Sequence, residues 1–161
     1  MDNLILSHFK NSVLYIQFNR LDKKNALTSD MYLQLCDLLN MATERDDIHV
    51  VALYGNESCF TGGNDLHDFV NCATNDELAA IKFVKILTKF EKPLVAGIAG
   101  PAVGIGTTLL LHCDYVAAAP ETLFKLPFTQ LGLCPEAASS FLLPRLIGHA
   151  KAFELLVMGE S

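Results

Sequence analysis

The sequence predicts one α/β domain with parallel strand pairing. Its 161 residues fit a single domain, in which about two thirds of the surface of the unfolded chain should be buried. Hydrophobic residues make up 51% of the chain and charged residues 19%, which is typical of a globular protein. Apolar β-rich runs alternate with amphipathic stretches along the chain. Because parallel strands need a crossover between them, this alternation indicates an α/β fold.

The N-terminal elements are a predicted hairpin, a helix and a strand. Residues 4–9 and 13–18 are β-rich runs separated by an Asn-Ser pair, which favours a β-hairpin. Thr28 can cap a helix, and apolar residues recur at helical spacing after it until near Arg45. The apolar run over residues 50–54 then predicts a buried strand.

Helices and strands alternate in the remainder of the chain. Asn75 and Asp76 are expected to open an amphipathic helix that stops before Pro93, because proline disrupts a helix interior. The later elements are predicted as a strand over residues 94–98, a helix over 107–112, a strand over 115–118, and helical segments over 135–144 and 149–157.

Charge and cysteine usage restrict the class of function. With 18 acidic against 12 basic residues and a net charge of -6, the chain lacks the excess of Lys and Arg that nucleic-acid binding needs. No run of 18 apolar residues and no signal-peptide start occur, so we expect no membrane partner. The 5 cysteines include no C-x-x-C pair, which predicts a protein of the reducing cytoplasm without a disulfide framework. No metal site is expected, and four residues of metal-ligand type are interpreted as structural: His67, His112, His149 and Cys113.

Two glycine-rich turns, residues 60–66 and 100–108, are predicted directly after strands and before helices. Such turns present free backbone N–H groups to a ligand. One turn alone would favour a tight αβ connection, whereas two together favour an anion site. Neither turn fits a nucleotide fingerprint. The second lacks the third glycine of G-x-G-x-x-G, and the Walker lysine is absent.

The order and residue sequence of these segments resemble the motifs of the crotonase family, also called the enoyl-CoA hydratase/isomerase family. The matching segments are residues 19–27, 60–66, 92–96, 100–106 and 113–114. Within that family, residues 126–128 and 131–136, followed by Ser139 and Ser140, look like the Δ3,Δ2-enoyl-CoA isomerase branch. The resemblance runs from about Leu4 to Gly159.

The resemblance implies a spiral of ββα units that binds an acyl-CoA thioester, with coenzyme A as part of the substrate and no resident cofactor. It places the oxyanion-donating N–H groups at Gly62 and Ile105, where fixed donors would stabilise an enolate. Lys24 and Ala26 would lie beside the CoA adenine and phosphates. Other implied substrate contacts in the first turn are Gly63, Asn64, Asp65 and Leu66. Judged by the residues alone, the favoured role of Asp65 is to cap the helix that begins near Leu66.

The chemistry depends on which carboxylates are present. Hydratases of this family use two glutamates to hold water, and the resemblance puts Thr108 and Phe128 at those two substrate-facing places. Neither residue can act as a carboxylate base, so hydration is disfavoured. Double-bond migration needs one base, and Glu136 lies where the isomerase branch places it. Judged by pattern alone, a first-turn helix role is favoured for Glu136 by roughly two to one. The surrounding motif and the missing hydratase glutamates shift the preference to catalysis. Helix dipole and burial would shift its pKa in opposite directions.

Family members continue beyond the end of this chain into a helical region that completes the pocket and builds a trimer. We therefore expect residues 1–161 to be an acyl-CoA-binding core without that region, and a homotrimer or hexamer for a full-length form. An enoyl-CoA isomerase of fatty acid metabolism is the favoured function. The alternatives are a non-catalytic acyl-CoA-binding or assembly module, a hydratase, a dienoyl-CoA isomerase and an acyl-CoA hydrolase.

Overall fold

The main sheet is mixed and mostly parallel, as predicted. In this computed structural model, which describes residues 3–72 and 78–161, the strands are β1 Ile5–Lys10, β2 Val13–Phe18, β3 Val50–Tyr54, β4 Leu94–Ile98, β5 Pro101–Val103, β6 Tyr115–Ala118 and β7 Leu123–Lys125. The main sheet has the order β1-β2-β3-β4-β6. Its first pair is antiparallel and the other pairs are parallel. Strands β5 and β7 form a second, parallel pair.

The helices contribute to two hydrophobic cores. Within the described residues they are α1 Ser29–Glu44, α2 Leu66–Cys72, α3 Ala79–Leu87, α4 Ile105–Thr108, α5 Ser139–Ile147 and α6 His149–Phe153. Buried side chains of α1, α3 and the main sheet form the principal core. A smaller core joins Leu126 and Phe128 to the C-terminal helices. No helix in these described ranges is long and apolar enough to cross a membrane.

The hairpin and the first helix form where local sequence favours them. Asn11 and Ser12 take φ values of 52° and 61°, as a two-residue type I′ hairpin turn requires. The Thr28 hydroxyl accepts a hydrogen bond from the Met31 N–H at 3.3 Å and so caps α1. At the other end of α1, the Lys92 ammonium donates to three backbone carbonyl oxygens at 2.6–2.9 Å. The predicted hairpin, cap and helix are confirmed.

Two segments near the second glycine-rich turn differ from the sequence prediction. Strand β5 lies inside the segment that was predicted as a turn, and its partner β7 was not predicted, since both are only 3 residues long. The helix predicted over residues 107–112 begins earlier, at Ile105, and tightens into a 3₁₀ turn over Leu109–His112.

Two helix starts also differ or lie outside the described residues. Asn75 and Asp76 fall outside the described residues, and the described part of that helix begins at Ala79. The helix predicted from Pro135 begins only at Ser139. The following helical segment is α6, which ends in a π-helical turn over Glu154–Met158.

Candidate active site

The two glycine-rich turns pack side by side. Thr61 pairs in parallel with Ala102, and the N–H of Val103 donates to the Thr61 carbonyl oxygen at 3.0 Å. Gly63 has a φ of +94°, and a Cβ there would lie 2.8 Å from the Val103 carbonyl oxygen. Glycine is required because a side chain would force the turns apart. The first turn was predicted to follow a strand directly. Instead, a loop separates it from Tyr54 at the end of β3.

A mostly apolar cavity of about 580 Å³ opens between the two turns, α3 and the segment before α5. It brings together most of the residues that were predicted at the site. The predicted residues that line it are Gly62, Gly63, Asn64, Leu66, Ile105, Phe128 and Glu136. Tyr32 of α1 lines it as well and was not predicted. Among the described residues of this lining, Glu136 supplies the only carboxylate.

The Glu136 carboxylate is half-buried and held by one side chain. The hydroxyl of Thr108, which is fully buried, donates to Glu136 Oε1 at 2.5 Å. Burial raises the pKa of Glu136 above its ordinary value of 4.5, and the Thr108 hydrogen bond opposes that rise without cancelling it. Thr108 was predicted to contact the substrate. It instead lies behind the carboxylate and does not line the cavity.

Glu136 lies in a loop and not in the first turn of a helix. Ala137 and Ala138 follow it with φ values of 50° and 55°, and the helix begins after them. The Glu136 carbonyl oxygen accepts hydrogen bonds from the N–H of Ser139 at 2.9 Å and from its hydroxyl at 2.6 Å. His112 Nε2 lies 2.9 Å from the Ala137 carbonyl oxygen. Since a carbonyl oxygen only accepts, Nε2 must carry the hydrogen.

One of the two predicted oxyanion donors is available and the other is not. Ile105 is the first residue of α4, its N–H has no partner in the described parts of the chain, and it lines the cavity. The N–H of Gly62 instead donates to the Lys24 carbonyl oxygen at 2.8 Å. The prediction for Gly62 is therefore corrected, because this N–H is already used inside the protein.

The backbone N–H of Asn64 is available as a donor, unlike that of Gly62. Leu27 pairs with this residue in parallel, through the Gly63 carbonyl oxygen and the Asp65 N–H, each at 2.8 Å. In such a pairing the N–H of the residue between these two groups points away from the partner. Accordingly the Asn64 N–H has no hydrogen bond within residues 3–72 and 78–161, and Asn64 lines the cavity. Sequence alone carried no information on this register.

Asp65 holds the first turn in place and does not line the cavity. Its Oδ1 accepts hydrogen bonds from the N–H groups of His67 and Asp68, each at 3.1 Å, which caps α2. Its Oδ2 pairs with Arg20 at 2.7 Å, and this hydrogen bond lowers the pKa of Asp65. The helix-capping role that was considered for Asp65 is confirmed, whereas the substrate contact is not supported by its position.

The loop before α1 that contains Lys24, Asn25 and Ala26 is hydrogen-bonded to the start of the first glycine-rich turn. The fully buried Asn25 side chain donates to the carbonyl oxygens of Cys59 and Phe60 at 3.1 Å. Lys24 and Ala26, on either side of it, do not line the cavity. Their contact with the CoA adenine and phosphates stays a prediction. Within residues 3–72 and 78–161, no group of three or more His, Cys, Asp or Glu side chains could hold a metal ion.

Known proteins of similar sequence and structure align with nearly the whole of this chain. The Enoyl-CoA hydratase/isomerase family pattern matches residues 8–161. Enoyl-CoA delta isomerase 2 of Rattus norvegicus is 40% identical over 98% of this chain and 42% of its own length. The 2,3-dehydroadipyl-CoA hydratase of Escherichia coli K12 is 34% identical over 100% of this chain and 64% of its own. The structure of Pseudomonas aeruginosa OdaA superposes with a TM-score of 0.94 at 44% identity, covering 99% of this chain and 65% of that one.

This chain thus spans less than two thirds of the length of each of these proteins. The family match nevertheless covers residues 8–161, and the superposition covers 99% of the chain. The resemblance predicted from the motifs is confirmed, and the chain belongs to the enoyl-CoA hydratase/isomerase family.

Proposed function

We propose that this chain is the catalytic core of an enoyl-CoA isomerase that converts a 3-enoyl-CoA into a 2-enoyl-CoA. One observation carries the proposal. Glu136, the only carboxylate in the described cavity lining, shares that cavity with the unpaired N–H groups of Asn64 and Ile105. A base and two oxyanion donors around one apolar cavity are the groups that proton transfer next to a thioester needs.

The proposed reaction is a proton transfer in two steps. The Glu136 carboxylate takes a proton from C2, and the electrons of that C–H bond delocalise through the C3–C4 double bond and the thioester carbonyl as a dienolate. The N–H groups of Asn64 and Ile105 then stabilise the negative oxygen, and one such donor is typically worth about 3 kcal/mol of barrier. The protonated carboxyl returns the proton to C4, which leaves the double bond between C2 and C3.

The raised pKa of Glu136 supports its role as the base. A carboxylate with a higher pKa is a stronger base, and it remains ionised for catalysis while the solution pH exceeds that pKa. The reaction changes no oxidation state. We therefore propose that no resident cofactor takes part and that coenzyme A enters and leaves as part of the thioester.

Two residues favour isomerisation over hydration. Phe128 is only 5% exposed and contributes an apolar ring to the cavity wall. The Thr108 hydroxyl is occupied by Glu136. A bound water needs about 2–4 polar partners, and these two positions supply neither a carboxylate nor a free hydroxyl for it. The isomerase named among the relatives supports this choice, although a hydratase is also a relative.

The proposal is tested by supplying two substrates to the same protein. With 3-hexenoyl-CoA we expect an increase in absorbance as the conjugated 2-enoyl thioester forms. With crotonyl-CoA we expect negligible formation of 3-hydroxybutyryl-CoA, measured by chromatography. Efficient hydration would replace the proposal with a hydratase. Acyl-CoA binding without either reaction would instead favour a non-catalytic binding module.

A further inference from the structure

Tyr32 connects α1 to the first glycine-rich turn at the cavity. Its side chain is 3% exposed, and its ring lies 5.5 Å from that of Phe83 on α3. Tyr32 lines the cavity, and its hydroxyl donates a hydrogen bond to Oδ1 of Asn64. A buried tyrosine usually places its hydroxyl on a polar partner, and here that partner belongs to the residue with the unpaired N–H.

Asn64 is thereby held from two sides. Its backbone is fixed by the pairing of the neighbouring peptide groups with Leu27. Its side chain is fixed by Tyr32. An oxyanion donor lowers a barrier only if it is already in position when charge develops, so two restraints on one donor residue are expected to matter for rate.

The environment of Tyr32 keeps its hydroxyl protonated. Burial raises the pKa of Tyr32 well above its ordinary value, and the negative charges of Glu136 and Asp68 raise it further. The phenol therefore remains a hydrogen-bond donor, as the Asn64 amide oxygen requires. Tyr32 and the proposed base Glu136 both line this cavity.

We propose that Tyr32 is a positioning residue, whose hydroxyl holds the Asn64 side chain and so keeps the Asn64 N–H directed at the thioester oxygen. This inference rests on the proposed function, in which that N–H is an oxyanion donor. Tyr32 would act through Asn64 and not by transferring a proton itself.

The first test removes the hydroxyl and keeps the ring. In Tyr32→Phe we expect kcat to fall about tenfold and KM to stay nearly unchanged. This loss is smaller than the roughly hundredfold or greater loss that is typical when an oxyanion donor itself is removed. Asn64→Ala removes the other partner of the bond but retains the backbone N–H. If Tyr32 acts through Asn64, the double variant should be no slower than the slower single variant. Additive losses would overturn the inference. Tyr115→Phe, on an exposed tyrosine of β6, is the matched control and should leave kcat unchanged.

A second readout does not depend on isomerisation. The infrared carbonyl stretch of a bound, ¹³C-labelled hexanoyl-CoA should shift to lower frequency in the wild type, because donors at the oxygen polarise the bond. In Tyr32→Phe and in Asn64→Ala most of that shift should disappear. An unchanged shift in both variants, or no shift in the wild type, would overturn the inference. If the wild type shows the shift and the two variants lose it, but the wild type does not isomerise 3-hexenoyl-CoA, the proposed function is rejected while the positioning role of Tyr32 at the thioester oxygen is retained.

Discussion

Within residues 3–72 and 78–161, three pairs of consecutive non-glycine residues adopt the left-handed conformation. One pair is Lys24 and Asn25, and the other two lie in turns that hold this conformation for different reasons. Asn11 and Ser12 connect β1 to β2 with φ values of 52° and 61°. Ala137 and Ala138 follow Glu136 with φ values of 50° and 55°. Asparagine tolerates this conformation because its short polar side chain bonds locally, whereas alanine has no such compensation.

Local sequence favours the hairpin turn, while tertiary contacts hold the alanine turn. A type I′ turn matches the twist of the strands that flank it. At the second turn, His112 donates to the Ala137 carbonyl oxygen and Ser139 binds the carbonyl oxygen of Glu136. Unfavourable backbone conformations persist where the surrounding structure imposes them, often at functional sites. Changes around the alanine turn should therefore affect both activity and stability, whereas changes in the hairpin turn should affect stability alone.

The largest effect is expected from Glu136→Gln, which keeps the size of the side chain but cannot accept the C2 proton. General acid–base catalysis is typically worth about a hundred- to ten-thousandfold, so kcat for 3-hexenoyl-CoA should fall at least a hundredfold. Acyl-CoA affinity, measured by calorimetry, should change little. Glu121→Gln, at an exposed position, serves as the control. Near wild-type turnover in Glu136→Gln would show that another group is the base.

The outcome at Glu136 also shows what sequence could and could not predict. Its place in a motif was visible in the sequence, and so was the Thr28 cap, because a cap depends on residues three positions apart. The left-handed alanines were not visible, and a helix was wrongly expected to begin before them. That turn depends on His112, which lies 25 positions away in the sequence.

The donor assignment had the same weakness. The first glycine-rich turn was recognised, but whether an N–H in it is free depends on how it pairs with the loop before α1. Lys24 uses the N–H of Gly62, and Leu27 leaves that of Asn64 unpaired. Glycine spacing carries no information on this register, so the sequence located the glycine-rich turn but predicted the free N–H group at the wrong residue.

A smaller effect is expected when the support for the alanine turn is removed. His112→Phe keeps a ring but cannot donate to the Ala137 carbonyl oxygen. A hydrogen bond of this kind is worth about 1 kcal/mol, so we expect kcat to fall roughly five- to tenfold. His112→Gln can place an N–H near the position of Nε2 and should restore much of the activity. Equal activity of the two variants would show that this hydrogen bond does not position Glu136.

The next effect is a shift in the pH profile. The Thr108 hydrogen bond lowers the pKa of Glu136 against the larger effect of burial. Thr108→Val removes the bond, so the pKa should rise further. Since the base must be ionised, the acid limb of the kcat profile should move to higher pH. Thr107→Val is the control, because the neighbouring Thr107 hydroxyl binds the Ala102 carbonyl oxygen and not Glu136. A limb that stays in place or moves to lower pH would contradict the assignment.

The smallest effect separates the two turns by stability. The left-handed conformation costs an ordinary residue about 1–2 kcal/mol, a cost that glycine avoids. Glycine loses more entropy on folding, by about 0.5–1 kcal/mol, so Ala138→Gly should stabilise the protein by about 0.5–1 kcal/mol net. Ala138 is exposed, and little packing is lost. Asn11 already tolerates the conformation, so Asn11→Gly should change the free energy of unfolding by no more than about 0.5 kcal/mol. Urea unfolding of both variants measures the difference. If Ala138→Gly gained no more stability than Asn11→Gly, the alanine turn would not be strained, and the contacts from His112 and Ser139 would not be needed to hold it.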